Sequence, residues 1–212
     1  VHGLERGAVL VDMSTVSPAA TRRIADELRG RGVAMLDAPV SGGSEGAQKG
    51  TLSIMVGGPA EALERVRPLL EVLGRTITHV GDSGAGQVAK AVNQVIIAGT
   101  YASVAEGMAL AMKAGVDVDA LLRALAGGAA QSWVLENRAR NMLTGEYPLG
   151  FRTRLHRKDL GIALAEARER GVSMPVAAYV EQLEAGLVGR GYGDEDVSNV
   201  ARVVRELAGI DP

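Results

Sequence analysis

The sequence predicts an α/β domain followed by an all-helical domain that contains one long helix. Over the first 80 residues, short β-branched runs alternate with amphipathic stretches, as in a sheet covered by helices. From Gly84 onward the strand pattern nearly vanishes, and alanine, leucine, glutamate and arginine dominate. We therefore expect a boundary near residues 81–86, which gives domains at residues 1–83 and 84–212.

The first domain contains four strand patterns and two helix patterns. Each helix begins at a proline and ends at a glycine, the usual residues for these positions. Because strands that alternate with helices normally run side by side in one direction, we expect a largely parallel sheet. The predicted strands are 8–13, 34–38, 52–56 and 76–80, and the predicted helices are 18–29 and 59–73.

The second domain begins with a helix predicted over residues 86–114 and ended by Gly115. At roughly 1.5 Å per residue this helix is about 40 Å long, the width of a whole domain. Such a helix usually forms a spine between domains or subunits. Further helices are predicted at 117–126, 132–144, 154–170, 175–190 and 196–208.

Composition limits the possible functions. The 212 residues include 23 basic and 25 acidic side chains, and the resulting net charge of -2 provides no general attraction for a polyanion. We therefore expect no nucleic-acid partner. The absence of cysteine excludes disulfides, thiolate metal sites and a cysteine nucleophile. The three histidines are far apart in sequence, so we expect no metal site.

The sequence shows neither a secretory signal nor a long uninterrupted apolar stretch. Its most apolar stretch, residues 91–105, contains Asn93, Gln94 and Thr100 and is followed by Glu106. This is shorter than the run of apolar residues that spans a bilayer. We expect a soluble, cytoplasmic protein without a membrane partner.

Small residues follow the second strand, at residues 37–43. Ser41, Gly42 and Gly43 leave room for several backbone N–H groups to face one point, which suits a carboxylate or phosphate. The alternative is a tight loop in which the glycines only satisfy backbone angles. The loop alone favours this second interpretation.

Hydroxyl side chains follow the first strand. Either Thr15 or Ser17 could cap the helix that starts at Pro18, and capping explains most of this segment. Ser14 and Thr15 also follow the carboxyl end of a strand, where open α/β sheets bind ligands. One of the hydroxyls is therefore available for a function.

Lys90 lies near the amino end of the long helix, where a cation is electrostatically unfavourable. Asn93 and Gln94 follow three and four residues later and share its helical face, so an amine and an amide could contact one substrate. The alternative is a lysine whose stem packs while its ammonium reaches solvent. The nearby Gly-x-Gly has no third glycine at the spacing that dinucleotide binding requires.

Phe151, the only phenylalanine, precedes a basic cluster that includes His156, Arg157 and Lys158. One ring and several cations suit a flat, anionic ligand. A core aromatic residue followed by a solvated charged face is an equally good interpretation.

These segments together resemble the β-hydroxyacid dehydrogenase family, which includes 3-hydroxyisobutyrate dehydrogenase and tartronate semialdehyde reductase. Four blocks match in the order and at the intervals of the family, and the resemblance covers essentially the whole chain. Asn93-Gln94-Val95 and Leu155-His156 are most similar to the tartronate semialdehyde reductase branch. The matching blocks are residues 12–18, 37–43, 81–93 and 151–160.

The resemblance implies a role for each matching residue. Lys90 would be the catalytic lysine and Asn93 its companion, although many members have a second asparagine where this chain has Gln94. A loop would hold the substrate carboxylate, and four other residues would contact NAD or NADP. The carboxylate-binding residues are Ser41, Gly42 and Gly43, and the cofactor contacts are Ser14, Thr15, Phe151 and Lys158.

The resemblance also implies that residues 1–83 are the C-terminal part of a Rossmann-like dinucleotide-binding domain, and that residues 84–212 form the substrate and dimerisation domain. Family members begin with a strand and a Gly-x-Gly-x-x-Gly loop, which do not precede the first matching block here. Since the chain also starts without Met, we expect it to be part of a longer polypeptide.

The implied activity is reversible hydride transfer between NAD or NADP and a short 3-hydroxy acid or semialdehyde, with Lys90 as general acid and base. The implied partners are a small carboxylic acid and further copies of the chain, in a homodimer or tetramer. One alternative is an imine or larger hydroxy-acid reductase on the same scaffold. Another is a truncated, non-enzymatic dimerisation module.

Overall fold

The computed structural model describes residues 3–210, which group into two compact units. The sheet unit contains the residues up to Asn93 together with Ala165–Val172. The helical unit contains Gln94–Leu164 and the residues from Ser173 onward. The assignment of separate roles to residues 1–83 and 84–212 stays a prediction.

In the part of the sheet unit that the structure describes, five strands form one mixed sheet. The first two are parallel, with Asp12 opposite Asp37, so their carboxyl ends lie side by side. The last two are also parallel. The strands are β1 (Val9–Asp12), β2 (Ala34–Asp37), β3 (Val40–Ser41), β4 (Leu52–Gly57) and β5 (Gly74–Gly81).

The prediction of a largely parallel sheet is wrong at β4. Both β2 and β3 pair antiparallel with β4, with Asp37 opposite Gly57 and Ser41 opposite Ser53. The two short strands therefore lie end to end along β4. The chain reverses through a seven-residue helix, α2 (Gly43–Lys49), which the sequence analysis did not predict. A connection this short cannot cross over to a parallel strand, so the next strand runs back.

Two longer helices cover the sheet, α1 (Pro18–Gly30) and α3 (Ala60–Leu73), close to their predicted bounds. Ser17 caps α1 by accepting a hydrogen bond from the Ala20 N–H, so Ser17 and not Thr15 is the cap. Apolar side chains of the strands and of α3 form the main core. It includes Leu36, Ile54, Val56, Leu63 and Leu70.

The second half of the chain is helical, as predicted, and its first helix, α4 (Ala85–Ala114), is 30 residues long. Residues predicted as one last helix form a short 3-10 turn (Val197–Asn199) that leads into α9. The helices after α4 are α5 (Val118–Leu125), α6 (Trp133–Thr144), α7 (Thr153–Glu169), α8 (Pro175–Gly189) and α9 (Val200–Leu207).

Helix α4 is long and apolar enough to cross a membrane by length and composition alone. The core helix of a soluble protein also meets this criterion. Met108 is buried against Leu135 and Ala139 of α6, and Tyr101 belongs to another core cluster of the helical unit. Packing within the chain therefore covers part of the helix.

Candidate functional site

The loop after β1 carries the first two predicted site residues. Ser14 is exposed and Thr15 is half-buried. The Ser14 hydroxyl donates a hydrogen bond to Oδ1 of Asp12 at 2.5 Å, and its backbone N–H donates to the same atom at 3.0 Å. Since its proton is used in this bond, the Ser14 hydroxyl presents lone pairs to other ligands.

The predicted carboxylate loop lies at the end of β3, where Ser41 is half-buried and Gly42 and Gly43 are exposed. Gly42 has a φ of 131° and Gly43 a φ of 62°. A β-carbon at Gly42 would lie 3.2 Å from Leu52 Cδ2, whereas a β-carbon at Gly43 would meet open space. Backbone conformation alone explains both glycines, and their exposure leaves the loop accessible to a ligand.

Lys90 lies in the second turn of α4 and is 8% exposed, and Asn93 follows one turn later and is half-buried. The first turn of this helix is bound to the side chain of Asp37, at the carboxyl end of β2. The side chain of Gln87 binds the loop after β1. Lys90 is thus on a helix that is hydrogen-bonded to the ends of both strands.

The sheet unit therefore brings the loop with Ser14 and Thr15 and the start of α4 to the carboxyl ends of β1 and β2. The carboxylate loop follows β3 farther along β4, where Ser41 lies opposite Ser53. Ser14, Gly42 and Gly43 are exposed, whereas residues 37–39 are buried. Because the Ser14 hydroxyl is exposed and donates its proton to Asp12, it can accept a hydrogen bond from the N–H group of a carboxamide. This donor and acceptor set fits the nicotinamide end of a dinucleotide.

The other two predicted cofactor contacts belong to the helical unit. The half-buried ring of Phe151 meets the ring of His156 edge to face, with centroids 5.9 Å apart. The backbone N–H groups of Gly150 and Phe151 donate to Oδ2 of the buried Asp196 at 3.0 and 2.9 Å. Asp196 therefore fixes the segment that leads into α7.

Lys158 is exposed, and its Nζ lies 2.9 Å from Oδ1 of Asp159. The other carboxylate oxygen of Asp159 accepts a hydrogen bond of 2.6 Å from Nε2 of Gln94, which is fully buried. The sequence spacing made Gln94 a candidate substrate contact beside Lys90. In the structure its amide instead links α4 to α7 within the helical unit.

Sequence reasoning missed three residues that organise these segments: Asp37, Gln87 and Asp196. Gln87 lies one helical turn before Lys90, and this spacing was the one available signal for its role. Asp37 had no sequence signal, because its main-chain donors are distant in the chain. Asp196 caps the nearby turn through the Ser198 N–H, but its bonds to the Gly150 and Phe151 backbones join residues far apart in the chain.

Two family models match the chain. The first, described as the NAD binding domain of 6-phosphogluconate dehydrogenase, matches residues 1–81. The second, described as NAD-binding of NADP-dependent 3-hydroxyisobutyrate dehydrogenase, matches residues 84–204. Both descriptions name the binding of a nicotinamide dinucleotide.

Individual proteins of known activity are also similar. The 2-hydroxy-3-oxopropionate reductase of Escherichia coli is 41% identical over 203 residues, which cover 96% of this chain and 70% of that protein. The 2-(hydroxymethyl)glutarate dehydrogenase of Eubacterium barkeri is 38% identical over 205 residues, or 96% and 68%. Among the four curated relatives that match first, the chain spans 62% to 70% of their length.

The fold also matches that of a solved structure. The 3-hydroxyisobutyrate dehydrogenase of Mycobacterium tuberculosis, in a structure with L-serine, superimposes with a TM-score of 0.87 at 31% identity. The match covers 95% of this chain and 71% of that protein. The predicted fold class and the cofactor class, NAD or NADP, are thereby confirmed. The chain belongs to the β-hydroxyacid dehydrogenase family.

Proposed function

We propose that the protein containing this chain is an NAD(P)-dependent oxidoreductase that transfers hydride reversibly between the cofactor and a short 3-hydroxy acid or semialdehyde. Tartronate semialdehyde and 3-hydroxyisobutyrate represent the substrate class. Support comes from a relative that acts on 2-hydroxy-3-oxopropionate, which is tartronate semialdehyde, and from a similar structure of a 3-hydroxyisobutyrate dehydrogenase.

The position of Lys90 is the single observation that carries this proposal. A buried ammonium near the amino end of a helix is unfavourable for stability, because the helix dipole and desolvation both disfavour the charge. Donation of a proton to a substrate would explain why a lysine occupies this unfavourable position. We therefore assign Lys90 as the general acid and base.

In the reductive direction the substrate carbon gains a hydride and its oxygen gains a proton. NADH or NADPH, when held by the residues assigned below, would supply this hydride. Lys90 donates a proton from Nζ to the carbonyl oxygen as negative charge develops there, so the product is an alcohol and the lysine is left neutral. In the oxidative direction Nζ accepts the hydroxyl proton while the substrate carbon loses the hydride.

The remaining residues bind and orient. We assign the substrate carboxylate to Ser41, Gly42 and Gly43, because an exposed loop with a hydroxyl and unobstructed main chain suits an anion. Asn93 lies one turn from Lys90 and is assigned to the substrate hydroxyl. Holding both ends of a short acid raises the rate because it orients the reacting carbon and oxygen toward the cofactor and Lys90. The proposed cofactor contacts are Ser14, Thr15, Phe151 and Lys158.

We also propose that the protein is cytoplasmic and forms a homodimer or tetramer through α4. On this helix Val92, Ile96 and Leu110 are 51%, 61% and 71% exposed, and they lie on one face. Met108 of the same helix is buried within the helical unit and does not contribute to this face. The proposed contact is therefore centred on Ile96 and Leu110.

The test is a substrate and cofactor matrix with the full-length protein. The acids are tartronate semialdehyde, 3-hydroxyisobutyrate and L-serine, and each is paired with NADH and NADPH or with their oxidised forms. We expect kcat/KM for one of these acids to exceed that for an unbranched ketone without a carboxylate by about 100-fold or more, since the ketone lacks the anchoring group. Equal rates with and without the carboxylate would contradict the proposal.

A larger dicarboxylic hydroxy acid is the second candidate substrate, because one relative is a 2-(hydroxymethyl)glutarate dehydrogenase. This acid adds a second carboxylate but retains the same hydroxymethyl group for oxidation. Including 2-(hydroxymethyl)glutarate in the matrix separates the two candidates. A higher kcat/KM for this acid than for all the shorter ones would favour the second.

A further inference from the structure

The carboxylate of Asp37 is fully buried at the end of β2 and binds the start of α4. Its Oδ1 accepts a hydrogen bond from the Gly84 N–H at 2.8 Å, and its Oδ2 accepts one from the Gln87 N–H at 2.9 Å. All three residues belong to the sheet unit. One side chain therefore joins the end of a strand to the first turn of the helix that carries Lys90.

The side chain of Gln87 makes a second connection, to the loop after β1. Its Oε1 accepts a hydrogen bond from the Val16 N–H at 3.1 Å, and its Nε2 donates one to the Ser14 carbonyl at 2.9 Å. The side chain is 1% exposed. Because one partner only donates and the other only accepts, a single orientation of the amide satisfies both.

Gly57 and Gly86 lie where the joined segments are in close contact, and neither position has room for a β-carbon. A β-carbon at Gly57 would lie 2.6 Å from Oδ1 of Asp37. A β-carbon at Gly86 would lie 2.5 Å from the carbonyl oxygens of both Asp37 and Met55. The first turn of α4 is thus in close contact with the ends of β2 and β4.

A buried carboxylate is a costly way to satisfy two helix N–H groups. Burial raises the pKa of Asp37, and the hydrogen bonds from the Gly84 and Gln87 backbones oppose this effect. A hydroxyl cap such as Ser17 on α1 meets the same need with a neutral group. The carboxylate differs from such a cap because its two oxygens bind two backbone N–H groups, those of Gly84 and Gln87. Two bonds at different positions around the helix fix its rotation about its own axis.

We propose that Asp37 and Gln87 are positioning residues that hold Lys90 in register with the loops that contact substrate and cofactor. Lys90 follows Gln87 by three residues, Ser41 follows Asp37 by four, and Ser14 is bound directly by Gln87. The inference rests on the proposed function, which assigns these three segments to the reaction. Misplacing a reacting group by about 1 Å can lower a rate about 100-fold.

The test compares four variants of the full-length protein. Gln87→Met retains the length of the side chain and loses both hydrogen bonds. Gln87→Glu retains the acceptor for Val16 but places a second oxygen against the Ser14 carbonyl, and Asp37→Asn retains one acceptor oxygen. Leu70→Ala is the control, because it truncates a buried core residue of the sheet unit without touching the network.

We expect Gln87→Met and Asp37→Asn to lower kcat at least about tenfold, with thermal stability reduced no more than in Leu70→Ala. Gln87 does not touch the carboxylate loop, so Gln87→Met should change the KM for the acid less than about threefold. Leu70→Ala should retain the parent kcat at temperatures where it is folded. A kcat for Gln87→Met within twofold of the parent would overturn the inference.

Hydrogen–deuterium exchange provides a readout that does not depend on activity. The Val16 amide loses its acceptor in Gln87→Met, so its exchange should accelerate at least about tenfold, and Gln87→Glu should preserve more of its protection. Unchanged exchange at Val16 would overturn the inference even in an inactive protein. If Val16 exchanges faster in Gln87→Met but the parent protein is inactive on every acid of the matrix, the hydrogen-bond network is confirmed and the proposed function is refuted. If Val16 exchanges faster in Gln87→Met while this variant keeps the kcat of the parent, the network has only a structural role and the positioning role is rejected.

Discussion

Nδ1 of His156 lies 2.6 Å from Oε1 of Glu184, and both side chains are buried in the helical unit. Nε2 of the same ring lies 3.2 Å from the carbonyl oxygen of Gln94. A carbonyl only accepts, so Nε2 carries a hydrogen. The pair is then either an imidazolium with a carboxylate or a neutral imidazole that accepts from a protonated Glu184. His156 thus has a packing role in this unit.

Burial raises the pKa of Glu184, and the hydrogen bond from His156 opposes this effect. The native protein therefore holds this proton to a higher pH than the unfolded chain. Across the interval from the ordinary glutamate pKa of 4.5 up to the raised value, the free energy of unfolding falls as pH rises. Glu184→Gln should lack this contribution, so its stability relative to the parent should improve as the pH rises above the ordinary glutamate pKa of 4.5. Urea unfolding at several pH values measures the difference, and parallel pH profiles would contradict it.

Glu184→Leu serves as the companion variant. A glutamine amide can donate to Nδ1 of a neutral His156, whereas leucine leaves this buried nitrogen without its partner. We expect Glu184→Leu to be less stable than Glu184→Gln by about 1–3 kcal/mol at neutral pH. Equal stability of the two variants would show that the hydrogen bond contributes nothing.

Lys90→Ala should lower kcat by at least about 100-fold, because the reaction loses its positioned proton donor. Lys90→Arg keeps the positive charge, but a guanidinium does not deprotonate, so this variant should also lose turnover. Stopped-flow or steady-state rates at saturating cofactor provide the measurement.

Lys113→Ala is the matched control for Lys90, since Lys113 is an exposed lysine in the last turn of the same helix. It should retain the parent kcat. Lys90 variants that react within a few-fold of the parent would remove Lys90 from the mechanism.

Changes in the carboxylate loop should weaken binding of the acid more than binding of the cofactor. Ser41→Ala removes one hydroxyl donor. Gly43→Ala has open space for its methyl group but must adopt a φ of 62°, which costs about 1–2 kcal/mol. Gly42→Ala adds a contact of 3.2 Å with Leu52 and should be the more disruptive of the two glycine variants. Parallel titrations with acid and cofactor measure the difference, and equal losses would show that the loop is only structural.

Asp196 should be essential for stability of the helical unit. Its carboxylate accepts hydrogen bonds from Nε of Arg138 at 3.2 Å, from the Gly150 and Phe151 backbones, and from Ser198 Oγ at 2.7 Å. Asp196→Ala leaves a largely buried guanidinium and these N–H groups without their acceptor. We expect a loss of about 3–5 kcal/mol in the free energy of unfolding.

The exposed ion pair between Asp119 and Arg140 provides the comparison for Asp196. Its N–O distance is 2.6 Å, but its side chains are 56% and 67% exposed. Asp119→Asn removes the charge and leaves the cap of α5 in place, because the side chain of Asp117 forms that cap. This variant should therefore cost less than about 1 kcal/mol. Similar losses for Asp196→Ala and Asp119→Asn in chemical denaturation would contradict the proposed importance of Asp196.

Ile96→Asp in the full-length protein should shift the assembly toward smaller species, because a carboxylate would be buried in the proposed two-fold contact. Leu207→Asp is the control, since Leu207 is 80% exposed on α9. Light scattering at micromolar concentration should show the parent mass for the control and a lower mass for Ile96→Asp. A parent protein that is already monomeric on concentration would refute the proposed contact.

The sequence by itself determined where most helices begin and end. Ser17 caps α1 three residues away, Ser132 caps α6 in the same way, and Gly115 directly follows the last residue of α4. These signals can be read from sequence because each acts within one helical turn. The four site blocks could likewise be recognised because each one is contiguous in the chain.

Only the tertiary structure decided the direction of β4 and the links among the site segments. Asp37 binds Gly84 and Gln87 across 47 and 50 residues, and Gln94 binds Asp159 across 65. A buried carboxylate or amide can be satisfied by any suitable donor or acceptor, so its residue type does not specify the partner. Folding selects that partner by bringing distant segments together, and for this reason the roles of Asp37 and Gln87 became visible only in the folded sheet unit.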